Sequence, residues 1–152
     1  MKLWDPRKPT SVHTFMGHTE DVLDICFNST GTKLVSVSQD TTGRIYNVSD
    51  FMLVATMQGH TKEVSKCSFN GQSTKILTAS NDATTRIWDA NTGECLQTLA
   101  GHEDEIFSAA FNYESDTIIT GSKDNTCIVW KDSKKVGSGT YQAMSGAQHS
   151  RN

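Results

Sequence analysis

The chain has 152 residues, 36% hydrophobic and 20% charged, an ordinary globular composition that excludes disorder as the default state. Lys and Arg number 14 against 17 Asp and Glu, for a formal charge of −3, and no stretch concentrates basic residues, so nucleic acid is excluded as a primary partner. No apolar run reaches the length of about 18 residues that a spanning helix needs, and residues 1–8 are charged from the start without the apolar centre of a signal peptide; a soluble, intracellular protein with no membrane partner is expected.

Along the chain, residues 1–16 hold a short strand-like piece around Trp4. A unit opens at Gly17-His18 and runs over 17–58, a second opens at Gly59-His60 and runs over 59–100, and a third opens at Gly101-His102, each 42 residues after the last. The same step relates Ser38, Ser80 and Ser122, then Asp40, Asp82 and Asp124, then the aromatic series Trp4, Tyr46, Trp88 and Trp130. Phe27, Phe69 and Phe111, each followed by Asn, add another register.

In the second unit, β-type runs are predicted over 64–69, 75–80, 85–88 and 95–99. Turn-forming residues separate them at Gly71-Gln72-Ser73, Asn81-Asp82, Asn91-Thr92-Gly93 and Gly101-His102. Four antiparallel strands per unit follow, and helical spacing persists over no useful window, so the fold class is all-β. The third unit stops at 131 and looks incomplete. Residues 132–152, rich in Ser, Gly and Lys without a strand pattern, read as a disordered tail.

Cys26, Cys67, Cys95 and Cys127 are far apart, form no C-x-x-C pair and sit in apolar strand-like contexts, which points to reduced core residues. They have no metal-ligand spacing with the histidines, so neither a metal nor another cofactor is expected. Each unit does offer a Ser, a His and an Asp, the members of a hydrolytic triad. The set recurs three times and no Gly-x-Ser-x-Gly elbow occurs, so a structural role is expected and an enzyme is not.

A Gly-His pair followed roughly 27 residues later by Trp-Asp, as from Gly59-His60 to Trp88-Asp89, resembles the WD-repeat family. The resemblance implies β-propeller blades: the last strands of a partial blade in 1–16, then three four-stranded blades, the third incomplete, as an open fragment of a larger propeller. It further implies, in each blade, a hydrogen-bonded chain of aromatic, hydroxyl, His and Asp side chains. These would be Tyr46, Ser38, His18 and Asp40, then Trp88, Ser80, His60 and Asp82, then Trp130, Ser122, His102 and Asp124. Tyr46-Asn47 departs from Trp-Asp, and a phenol cannot replace an indole N–H in place; Trp130-Lys131 keeps the indole and loses the acid.

Such proteins are scaffolds that bind other proteins through rim loops. Here those loops carry Glu20, Asp21, Lys62, Glu63, Asp104 and Glu105, with Gln39, Asn81 and Lys123 on the same face, an acidic lean suited to a basic or mixed-charge partner. The wording of 101–127 and of 86–97 resembles the WD-repeat assembly factors of axonemal outer dynein arms. That resemblance implies a cargo adaptor for intraflagellar transport, with axonemal dynein and transport components as partners and the cytoplasm, cilium or flagellum as location. Leu3-Trp4-Asp5-Pro6-Arg7 resembles the Trp-Asp-x-Arg ending of some ligase-associated WD proteins, which makes a ubiquitin-ligase substrate receptor the alternative, beside a generic WD scaffold. An open array would also leave blade faces free for self-association.

Overall fold

The computed structural model describes residues 1–131 and 134–140. Every regular element among them is a strand, and no helix is long and apolar enough to cross a membrane. β1 (Lys2–Trp4) and β2 (Ser11–Thr14) form a two-stranded sheet. Blade 1 follows with β3 (Val22–Phe27), β4 (Lys33–Ser38), β5 (Gly43–Asn47) and β6 (Leu53–Met57); blade 2 has β7 (Val64–Phe69), β8 (Lys75–Ser80), β9 (Thr84–Asp89) and β10 (Cys95–Ala100). Blade 3 has β11 (Ile106–Phe111), β12 (Thr117–Ser122), β13 (Thr126–Lys131) and β14 (Lys134–Thr140). Each blade is an antiparallel meander in chain order. The four runs expected in the second unit coincide with β7 to β10, the last two strands being longer by a residue or two.

β14 corrects the reading of the tail as strandless and of the third unit as incomplete. It pairs along β13 from Lys131↔Lys134 to Thr126↔Thr140. Residues 134–139 are exposed, so backbone hydrogen bonding to an open edge holds this strand, and that energy leaves no trace in side-chain pattern. Residues 132–133 and 141–152 of the expected disordered tail lie outside the described residues.

The apolar core lies between blades. Val35, Val37, Ile45 and Met57 of blade 1 pack against Val64, Ile76, Trp88 and Ala90 of blade 2. Leu77, Ala79, Ile87 and Leu99 of blade 2 pack against Ile106, Ile118, Ile128 and Trp130 of blade 3. Neighbours in sequence such as Ile76 and Leu77 thus serve opposite seams, as the two-residue period of a strand requires. Full burial of one such aliphatic side chain contributes about 1.5–3 kcal/mol, so two apolar faces on one thin sheet are what hold the blades in file. Phe15, Leu34 and Tyr46 repeat the arrangement between the two-stranded sheet and blade 1. Leu23, Ile25 and Phe27 on β3, and Phe107 and Ile119 on blade 3, stay exposed.

Candidate functional site: hydroxyl relays and a rim cleft

Gly17 and Gly59 each precede a histidine at positive φ, 134° and 154°, where a Cβ would also strike the guanidinium of Arg44 or Arg86. A bare backbone there lets the loop press against the blade and drives the next side chain inward. His60 Nδ1–H donates to Asp82 Oδ2 at 2.8 Å, and its Nε2 accepts from the Thr78 hydroxyl at 2.8 Å. The Trp88 indole donates to that same hydroxyl at 2.7 Å. With the proton on Nδ1, every member has a matched donor or acceptor. Blade 3 repeats the relay: His102 lies 2.8 Å from Asp124 and 2.8 Å from Thr120, whose hydroxyl accepts from the Trp130 indole at 3.0 Å.

Blade 1 keeps half of it. His18 meets Asp40 at 2.7 Å and Ser36 at 2.9 Å, but Tyr46 stands where the indole would be and packs its ring 4.8 Å from Phe15. A cavity of about 160 Å³ opens there, with His18, Ser36, Phe15 and Tyr46 in its wall.

The relay hydroxyls are Ser36, Thr78 and Thr120, which corrects the expected Ser38, Ser80 and Ser122. Those serines face the same way two residues on and fasten the rim. Ser80 donates to the Glu63 carbonyl at 2.8 Å and accepts from Asp82 N–H at 3.1 Å; Ser38 and Ser122 do the same toward Glu20 and Asp104. The acid of Trp-Asp stands outside the relay as well, since Asp89 accepts from the N–H groups of Asn91 and Thr92 and closes the following turn.

Each relay aspartate is gripped from several sides. Burial alone would raise the pKa of Asp40, but the Thr42 hydroxyl, the His18 ring and the N–H groups of Thr42 and Thr19 outweigh it and bring it down to about 2. Burial likewise works against Asp82 and Asp124; hydrogen bonds from His60, Thr84 and Thr61 in one, and from Thr126, Glu103 and His102 in the other, hold both well below the usual carboxylate range.

At the rim, Gln39 N–H donates to the Asp21 carbonyl, Asn81 N–H to Glu63 and Lys123 N–H to Glu105, each at 2.9 Å. Asn81 Nδ2 also donates to the Glu63 carboxylate at 2.8 Å, and Lys123 lies 3.3 Å from that of Glu105. Gln39, Thr41, Lys62, Glu63, Asn81 and Glu105 together line a cleft of about 310 Å³ spanning three blades. Asp21, Asp104 and Lys123 share those loops without lining it, and Glu20 lines the cavity beside Tyr46 instead. Thr41 was not among the expected rim residues; its position in the Asp-x-Thr turn was the available signal.

The profile of the family described as WD domain, G-beta repeat matches residues 9–47, 51–89 and 93–131, well over half of the chain. The chain belongs to the WD-repeat family. A search of curated proteins found no match. Each matched WD repeat begins two residues before the last strand of one sheet, β2, β6 or β10, and ends with the third strand of the next, so every repeat joins two sheets. WD repeats serve as platforms for protein interaction, and the relays fit that role. Ser36, His18 and Asp40 do have the order of a hydrolytic triad, but Ser36 is 0% exposed, and in the other two blades a threonine capped by an indole takes its place. Among the described residues no cluster of three His, Cys, Asp or Glu could hold a metal ion.

Proposed function

We propose that the chain is a non-enzymatic interaction scaffold whose rim cleft receives a basic or mixed-charge segment of another protein. The observation that carries this reading is the cleft itself, in which Glu63 and Glu105 from adjacent blades stand fixed by Asn81 and Lys123. Carboxylates preset in this way steer a cationic segment and fix its register, with little ordering left to do on binding. In its specific form the scaffold is a cargo adaptor for outer dynein arms during assembly and intraflagellar transport, working in the cytoplasm and cilium. The wording of 86–97 and 101–127 supports that form. The exposed Leu23, Ile25 and Phe27 on one side and Phe107 and Ile119 on the other support self-association as a secondary mode.

Affinity capture from ciliated-cell extract tests the adaptor form: enrichment of outer-arm dynein chains that is lost on Glu63→Lys with Glu105→Lys is expected, and capture insensitive to those changes contradicts it. One observation favours a second reading. Arg7 is held by two hydrogen bonds to Asp5, both 2.9 Å, with its side chain 86% exposed, a pose open to an acidic partner. Capture of a ubiquitin-ligase core that disappears with Arg7→Ala would replace the adaptor reading with that of a substrate receptor.

A further inference from the structure

The first strands of neighbouring blades face one another across each seam. Between blades 1 and 2, Cys26 Sγ on β3 lies 3.4 Å from Cys67 Sγ on β7, both as free thiols. The strands are clamped beside the sulfurs: Cys67 N–H donates to Asp24 Oδ2 at 3.0 Å, and Lys66 Nζ lies 3.2 Å from the same oxygen. A step of 42 residues carries Cys26 to Ser68 and Cys67 to Ala109, so the same register positions at the next seam hold no sulfur. The seam is therefore built well enough without the pair, and its packing does not account for two thiols meeting there.

We propose that Cys26 and Cys67 form an oxidation site that takes a small hydroperoxide and closes into a disulfide joining blade 1 to blade 2. The bond needs a sulfur separation of about 2.05 Å, so the pair must close by roughly 1.4 Å, a side-chain adjustment between strands already held side by side. Cys26 is half-buried and Cys67 is 3% exposed, so the oxidant meets Cys26 first. The Cys26 sulfur beside it, together with burial, pushes the Cys67 thiol up, which keeps Cys67 protonated until its neighbour has reacted.

In the first step Cys26 sulfur attacks a peroxide oxygen, the O–O bond breaks, and Cys26 becomes a sulfenic acid as water, or an alcohol from an organic hydroperoxide, departs. In the second, Cys67 sulfur attacks the Cys26 sulfur, the S–O bond breaks, and the leaving hydroxide takes the Cys67 proton as water. The dithiol loses two electrons and two protons, and the peroxide gains them. The product ties β3 to β7 at Cys26 and Cys67, which pair with Val35 and Thr78 of their own sheets, on the side of the strands away from the Glu20-Asp21 and Lys62-Glu63 loops. Oxidation of Cys26 and Cys67 does not depend on which partner the rim takes.

The test treats the full chain, carrying Cys95→Ser to remove the exposed thiol, with hydrogen peroxide. Remaining thiols are then alkylated in denaturant and mapped by mass spectrometry. The expected result is loss of two alkylatable thiols, a linked peptide pair containing Cys26 and Cys67, complete reversal by dithiothreitol, and formation roughly tenfold faster in the folded chain than in the urea-unfolded one. Cys26→Ser and Cys67→Ala, the residues found one period later, should each abolish the linked species while leaving the far-ultraviolet circular dichroism of the reduced chain unchanged. Cys26 advancing to sulfinic acid without a link would overturn the proposal. So would both thiols staying alkylatable after an exposed control thiol is consumed, or equal rates in folded and unfolded chain.

Discussion

Trp88 and His60 meet at one atom, the Thr78 hydroxyl oxygen, 2.7 Å from the indole nitrogen and 2.8 Å from Nε2 of the imidazole. Thr78 is 1% exposed, and no water replaces what either neighbour loses if the hydroxyl goes. Thr78→Val keeps the shape and orphans two buried polar groups, so it should destabilise the chain by about 1–3 kcal/mol. Urea denaturation measures this. A loss no larger than that of an exposed substitution such as Thr92→Val would contradict a stabilising relay.

Blade 1 supplies the converse. Tyr46→Trp brings an indole toward Ser36 and fills part of the cavity of about 160 Å³ beside it. A gain of about 1 kcal/mol is expected from the restored hydrogen bond and the reduced void. Thermal unfolding of the single variant decides it, and a lower midpoint would mean that the Phe15 packing, not the relay, governs this position.

Thr41, Ala83 and Asn125 hold the same turn position in successive blades, with φ of 72°, 65° and 68°. Asn adopts that left-handed conformation at lower cost than a β-branched Thr, which holds it under strain. Thr41→Asn should stabilise by up to about 1 kcal/mol, read as a raised urea midpoint with unchanged slope.

Acid should loosen the blades. The relay aspartates have folded-state pKa values depressed relative to the unfolded value of about 3.9, so in acid the unfolded chain binds more protons than the folded one. Their contribution is therefore complete above about pH 5 and falls away as pH drops toward the Asp40 value of about 2. Urea midpoints measured against pH should decline over that window, and Asp82→Asn should flatten the decline. An identical slope in Asp82→Asn would contradict the assignment.

Much of this was legible in the residues. Gly71, Asn81 and Gly93 punctuate the second unit closely enough to place β7 to β10 almost to the residue. The relay hydroxyl was misplaced because Ser38, Ser80 and Ser122 repeat by identity, whereas Ser36, Thr78 and Thr120 vary between two hydroxyl residues; on a strand, positions two apart face the same way, so facing could not separate them. β14 was missed because its pairing with β13 is a backbone matter and its Lys, Ser and Gly residues carry no apolar alternation. The Cys26 and Cys67 pair escaped for a different reason: residues that meet across a seam lie on opposite faces of their own sheets, so their spacing of 41 falls outside the 42-residue register.

The measurement that tests the scaffold reading most directly compares two changes side by side, Glu63→Lys with Glu105→Lys against Thr78→Val, each followed by thermal unfolding and by quantitative capture of identified partners. The account predicts that the rim pair removes capture while the melting temperature holds to within a few degrees, and that Thr78→Val lowers the melting temperature while the fraction still folded captures normally. Capture that survives charge reversal at the rim but is lost from folded Thr78→Val would contradict it, placing the working surface at the relay rather than in the cleft.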